Sequence, residues 1–165
     1  MLGAILIAVD RDVRLRAAQP SDYDVIVAVM DDWFGGRQVR MALPRLFLDH
    51  FHQTSLVGER GNSLVAFLVG FLSPSLPEVA YIHFVGVDPR FRGHGLARRL
   101  YRKFFTLAQA DSRSTVRAIT SPQNHESIAF HTAMGFAVTE PLADYNGPSV
   151  DRVLFSRSLE PSDQT

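Results

Sequence analysis

Val85-Gly86-Val87-Asp88-Pro89-Arg90-Phe91-Arg92-Gly93-His94-Gly95-Leu96-Ala97 joins a buried-type strand to a helix through a turn and a glycine-rich loop. Gly93 and Gly95 let the backbone bend and bring its N–H groups close to an anion, and a helix N-terminus adds partial positive charge. Arg98 and Arg99 fall in the first helical turn, where a cation opposes the helix dipole at a cost of roughly a few tenths of a kcal/mol unless an anion compensates. With Arg92 beside them, bound pyrophosphate is the simplest explanation, although an ordinary strand-to-helix turn uses the same pattern. A Rossmann site is disfavoured because no complete G-x-G-x-x-G is present, and a Walker loop because no G-K-S/T is.

Upstream of this stretch, β signals cover residues 55–59, 64–72 and 79–87, with Gly61-Asn62 as a tight turn and the segment 73–77 as a connection. Val13-Arg14-Leu15-Arg16 alternates like a short strand, and Pro20-Ser21-Asp22 supplies an N-cap signal before Val25, Ile26, Val29 and Met30 at helical spacing. Asp31 through Gly36 breaks that helix, and a second helical stretch runs over about 43–52. Downstream, Leu96, Leu100, Phe104 and Leu107 with Ala97, Tyr101, Phe105 and Ala108 make one wide apolar helical stripe. A strand over 115–120, a helix over 126–134 and a closing strand over 151–159 complete a mixed sheet with helices on its faces.

Composition narrows the function classes. The 165 residues suit one domain, and 46% hydrophobic with 21% charged residues is ordinary for a globular chain. Zero net charge selects neither nucleic acid nor an anionic membrane as partner. With no cysteine there is no disulfide, thiolate metal site or cysteine acyl-enzyme, and a reducing cytoplasm is the natural compartment. The apolar run 1–9 lacks a basic flank and is too short to span a bilayer, so residues 1–11 are expected to form an extension or covering strand and 160–165 a mobile tail.

The glycine loop resembles the phosphate motif of the GNAT superfamily of N-acetyltransferases, Q/R-x-x-G-x-G/A, matched by Arg90-Phe91-Arg92-Gly93-His94-Gly95 after Val87-Asp88-Pro89. The family's second motif, an Asn and a small-residue helix ending in Gly-Phe, is matched by Asn124, by Ser127-Ile128-Ala129-Phe130-His131 and by Gly135-Phe136. The element order from Val13 to Leu159 fits too, so the resemblance covers almost the whole chain. It implies an α+β, GNAT-like single domain: a central mixed and mostly antiparallel sheet flanked by about four helices, with the cofactor in the cleft between the two central parallel strands. It implies acetyl-CoA as acyl donor and no metal. Val85, Gly86 and Val87 would offer backbone groups to the pantetheine arm beside a bulge. Arg92, Gly93, His94, Gly95, Leu96, Ala97 and Arg98 would hold the pyrophosphate. Asn124 would bind the pantetheine from the far side, though it equally fits a plain helix N-cap with Ser127 at N3.

An alkyl amine must lose a proton before it attacks a thioester, and His is suited to take it. Strand alternation places Tyr81, His83, Val85 and Val87 on one face, which makes His83 the candidate base and Tyr81 its substitute; a core histidine bonded to a carbonyl is the competing reading. His131 stands where many members of the family carry Tyr, so an imidazolium there is expected to protonate the departing thiolate or to touch the sulfur. Ile119 and Thr120 occupy the region where some relatives carry an acidic residue. His50 and His52 do not share a helical face and complete no metal site, while His94 and His125 read as solvated. The resemblance places acceptor recognition at Asp32, Trp33 and Tyr145, for a primary amine on a small molecule or a protein, and a homodimer is compatible with it. The competing classes are an acyl-CoA-binding sensor without turnover and a generic nucleotide-binding module.

Overall fold

Residues 64–72 run apolar without alternation, the signature of a strand covered on both faces. In the computed structural model, which describes residues 12–161, this run is a central strand whose residues 65–70 are all buried. The expected covering strand over 1–11 lies outside the described residues, as do residues 162–165 of the expected tail. The strands are β1 (Val13–Ala17), β2 (Leu56–Arg60), β3 (Ser63–Leu72), β4 (Val79–Val87), β5 (Thr115–Thr120), β6 (Ala137–Val138) and β7 (Val153–Ser158). The helices are α1 (Asp22–Trp33), α2 (Leu46–Phe51), α3 (Leu96–Ala110) and α4 (His125–Ala133). The strands form one sheet in the order β1-β2-β3-β4-β5-β7-β6. β4 and β5 pair in parallel and the other neighbours are antiparallel. This is the α+β architecture expected from the sequence.

Each face of the sheet has its own core. The stripe of α3 buries Leu96, Leu100, Tyr101, Phe104, Phe105 and Ala108 against Leu68, Ala80, Ile82 and Val116. On the other face Ile26, Met30 and Trp33 of α1 and Leu48 of α2 pack on Val57, Phe67 and Val69. A buried Val, Leu, Ile, Phe or Met side chain contributes about 1.5–3 kcal/mol, so these two clusters, not helix propensity, hold the helices on the sheet. Arg16 binds Asp22 at 2.9 Å and Glu59 at 2.7 Å, which ties β1, α1 and β2 together. The Arg16 guanidinium holds both carboxyls below their ordinary range.

Three local expectations change. Ser21 makes no side-chain cap; Asp22 takes up the task by accepting from the Gln19 amide at 2.7 Å. The second helix is not continuous over 43–52, because Leu43 sits before Pro44 and is forced out of helical geometry at φ −118° and ψ 80°. It becomes a 3-10 turn at Arg40–Ala42, then α2 after the proline. β6, only two residues long, carries too short a pattern to be read from sequence.

Candidate active site

The parallel pairing of β4 and β5 lasts three residues, from Val79 opposite Thr115 to Tyr81 opposite Arg117. Beyond that point the strands part, although β4 runs on to Val87 and β5 to Thr120. A bulge marks the divergence: on β3, Gly70 pairs with Ile82 but its neighbour Val69 pairs with Phe84, so His83 is an extra residue. From Ile82 onward the β5-facing edge of β4 has no partner strand among the described residues, so its backbone groups can bind an extended ligand. Both parted strands lead at their C-terminal ends into helix N-termini, those of α3 and α4. That is the usual place for a ligand in a parallel arrangement.

The bulge corrects the expected alternation. Ala80 and Ile82 pack in the α3 cluster, but after the bulge it is Val85 and Val87 that do so. Tyr81 and His83 therefore lie on the opposite face, with Phe47, Phe71 and Phe84 around them. The four residues expected on one face divide into a pair on each side of the sheet. A two-residue period holds only while the pleat is unbroken.

The glycine loop is shaped for an anion. Gly93 and Gly95 adopt φ +77° and +81°, which L side chains rarely tolerate, and a Cβ at either would meet no atom within 4 Å. They are glycine for their backbone angle and leave open space beside them. Gly95 is the N-cap of α3 and provides no side-chain cap for the first-turn N–H groups of Leu96, Ala97 and Arg98. His94 turns its Nδ1 back to the Arg92 carbonyl at 2.8 Å and stiffens the loop. Arg92, expected to help hold the pyrophosphate, is anchored by its side chain. Its guanidinium donates to the carbonyls of Val87 and Trp33, so it staples the loop to the end of α1. Arg98 is exposed and forms no hydrogen bond or ion pair among the described residues. Asp88, nearly buried, caps the 3-10 turn through the Arg90 amide and pairs with the Arg90 guanidinium at 2.8 Å, which lowers its carboxyl below the ordinary range. Gly86 faces away from the α3 side, where a Cβ would come within 2.5 Å of the Phe67 ring.

Asn124 is the N-cap of α4: its Oδ1 accepts from the Ser127 amide at 3.2 Å and its Nδ2 donates to Thr120 Oγ1 at 3.1 Å. The cap reading thus holds in the structure. Beside it Arg37, Ser121, Gln123, His125 and Glu126 line a hollow of about 320 Å3.

The histidines separate sharply. His83 Nε2 lies 2.8 Å from the Ala42 carbonyl, so that nitrogen carries the proton and Nδ1 keeps its lone pair. Its ring stacks on Phe47 at 4.2 Å, and burial lowers its pKa below the ordinary value, which keeps it neutral. His131 is only 6% exposed and stacks on Phe155 at 3.8 Å. Its Nδ1 donates to the Ser127 carbonyl at 2.7 Å, and its Nε2 accepts from the Tyr101 hydroxyl at 2.9 Å. Burial lowers its pKa to about 4 against the opposing Ser127 bond. The expectation of an imidazolium donor at His131 is corrected: the ring is neutral, and neither nitrogen is left for a sulfur. The local sequence could not reveal this, because Tyr101 and Phe155 come from distant elements.

On the face away from α3, a cavity of about 490 Å3 opens at the point where β4 and β5 part. Tyr81 and the expected acceptor residue Tyr145 both line it, together with Arg117, a residue not singled out in the sequence. Burial raises the Tyr81 pKa to about 12, so its phenol stays protonated. Trp33 is not an acceptor aromatic: it is 8% exposed and stacks on Phe67 at 5.9 Å. Asp32 is exposed and does not line the cavity. Of the break after α1, the aromatic Trp33 thus belongs to the core and Asp32 to the surface.

A family model described as "Acetyltransferase (GNAT) family" matches residues 23–136. The L-2,4-diaminobutyric acid acetyltransferase of Halalkalibacterium halodurans is 26% identical over 118 residues, covering 72% of this chain and 59% of that protein. The enzyme of the same name from Vibrio parahaemolyticus is 34% identical over 70 residues, 42% of this chain and 37% of that protein. The chain thus spans between about a third and three fifths of the length of these relatives. Among solved structures, a diaminobutyrate acetyltransferase from Paenibacillus lautus in complex with L-2,4-diaminobutyric acid and coenzyme A superposes with TM-score 0.70 at 20% identity, covering 89% of this chain and 95% of that one. A ribosomal-protein-alanine N-acetyltransferase from Brucella melitensis gives TM-score 0.67 at 21% identity, covering 88% and 99%. Among the described residues no helix is long and apolar enough to cross a membrane.

Proposed function

The chain belongs to the GNAT acetyltransferase family, and from that premise we propose that it moves an acetyl group from acetyl-CoA to a primary amine by direct attack in a ternary complex. The observation that carries this reading is the parting of β4 and β5 after Tyr81 and Arg117, with the glycine loop on one side and the cavity on the other. Two substrates can approach one point from opposite faces of the sheet. The diaminobutyrate acetyltransferase relatives support a small-molecule amine as acceptor.

Acetyl-CoA supplies the acetyl group as an activated thioester. The uncapped N–H groups at the start of α3 and the open space at Gly93 and Gly95 fit its pyrophosphate, and the Arg98 guanidinium adds charge. Val85 and Val87 present backbone groups on the unpaired edge of β4 to the pantetheine, and Asn124 keeps the opposite wall in place by capping α4. At the amine, His83 Nδ1 accepts the proton, because the Ala42 carbonyl holds the other tautomer position. The departing thiolate is a far weaker base than an alkoxide, with cysteine's pKa of about 8.5 as a guide to the thiol class, so it leaves without a donor at His131.

Thiol release from acetyl-CoA in the presence of a panel of primary amines tests the reading, with acetyl-CoA affinity measured in parallel. Amine-dependent release is the expected result. Tight acetyl-CoA binding with no release on any amine would support instead an acyl-CoA sensor, a reading favoured by one observation, the His131 ring locked in the core.

A further inference from the structure

Tyr81 and Arg117 are opposite one another in the last pair before β4 and β5 part. Their neighbours Ala80, Val116 and Ala118 are buried under α3, so alternation aims both side chains to the other face, where the cavity opens. The cavity walls are mainly apolar, with Phe71, Leu76, Ile119 and Leu154 beside the phenols of Tyr81 and Tyr145. Among the described residues lining it, Arg117 alone carries a charge. Like Arg98, Arg117 is exposed and forms no hydrogen bond or ion pair among the described residues, so its guanidinium is available to a ligand.

An unpaired guanidinium is a poor neighbour for an amine acceptor. Arg117 is exposed at the mouth of the cavity, and an amine that arrives as an ammonium meets a like charge there, partly screened by solvent. The repulsion becomes attraction if the acceptor brings its own anion. The planar fork of Arg matches a carboxylate through two parallel hydrogen bonds. Resting on the acetyl-transfer reading above, we propose that the acceptor carries a carboxylate held by Arg117, so that the site takes amine acids with an apolar body in preference to the same amines without the acid.

Pairs of acceptors that differ only in the acid decide it: phenylalanine with phenethylamine, and leucine with isoamylamine. For the wild-type chain kcat/KM is expected to favour the acid in each pair. In R117Q the ratio of acid to plain amine is expected to fall about ten- to a hundredfold, the factor one charge-assisted hydrogen bond carries. R117K retains the charge but not the fork, and its ratio is expected between the two. The change should lie mainly in KM for the acid. Calorimetric titration of the same pairs into the CoA complex reads the ratio without turnover, so a chain that binds but does not transfer still answers the question. No thiol release with any amine tried would sink the transfer reading alone. Equal or better use of the plain amines by the wild type, or a ratio unmoved in R117Q and R117K, would overturn the assignment of Arg117.

Discussion

His131 carries opposite consequences for stability and for chemistry. Its folded pKa, about 4, lies below the ordinary 6.5. As pH falls through 6.5 the unfolded chain takes up a proton that the native ring refuses until about pH 4. Stability is therefore full above pH 6.5 and falls between 6.5 and 4, by roughly 3 kcal/mol for a shift of this size. In H131L this share of the slope should vanish and leave that of His83 and the paired carboxylates, while stability at pH 7 drops by about 1–3 kcal/mol because the Tyr101 hydroxyl loses its acceptor. Urea denaturation of both proteins at pH 7 and 4.5 checks this; parallel losses in the two would disprove the buried neutral ring. His83 titrates in the other arena. As a neutral base with a lowered pKa, it should keep the acidic limb of the kcat/KM profile below pH 6.5 once the amine's own ionisation is divided out. H83A should remove that limb and regain part of its activity at high pH, where free amine is abundant. A profile of unchanged shape in H83A would leave the ring as packing for Phe47.

At the scale of the element, the loop from Asp88 to Gly95 is rigid by construction. Asp88 caps its first turn, Arg92 fastens it to α1, and His94 closes it on itself. A loop held in this way has little order left to lose on binding an anion, which favours affinity. G93E places a carboxylate where the pyrophosphate is proposed to lie. The added Cβ itself meets no atom, so the folded chain should tolerate it at about 1–2 kcal/mol for the left-handed backbone. Calorimetry should then show acetyl-CoA affinity lost by a factor of about a hundred or more. Unchanged affinity in a folded G93E would move the cofactor site elsewhere.

Across the whole molecule, two faces of one sheet meet at a single opening, which suits simultaneous occupancy by donor and acceptor. Initial-rate plots varied in both substrates should intersect, since the chain has no cysteine to hold an acyl group; parallel lines, or acetylated protein before any amine is added, would point to a covalent route. Much of this architecture was legible in the chain itself. The run 64–72 announced a strand, the α3 stripe named its own buried face, and the paired glycines before it declared a bend in the backbone, because each depends on a few consecutive residues. Asn124 as a cap is equally local. What lay beyond the sequence depends on partners far along the chain. The bulge that turns His83 away from Val85 is decided by the register with β3. His131 becomes a neutral core residue because Tyr101 and Phe155 close around it, and Arg92 a staple because α1 ends beside it. Arg117 reads as one more strand arginine until β4 and β5 separate at its position. A sequence states which groups are present and how they repeat; whether a nitrogen is buried, bonded or free is settled only when distant elements pack, since desolvation and hydrogen bonding act through space.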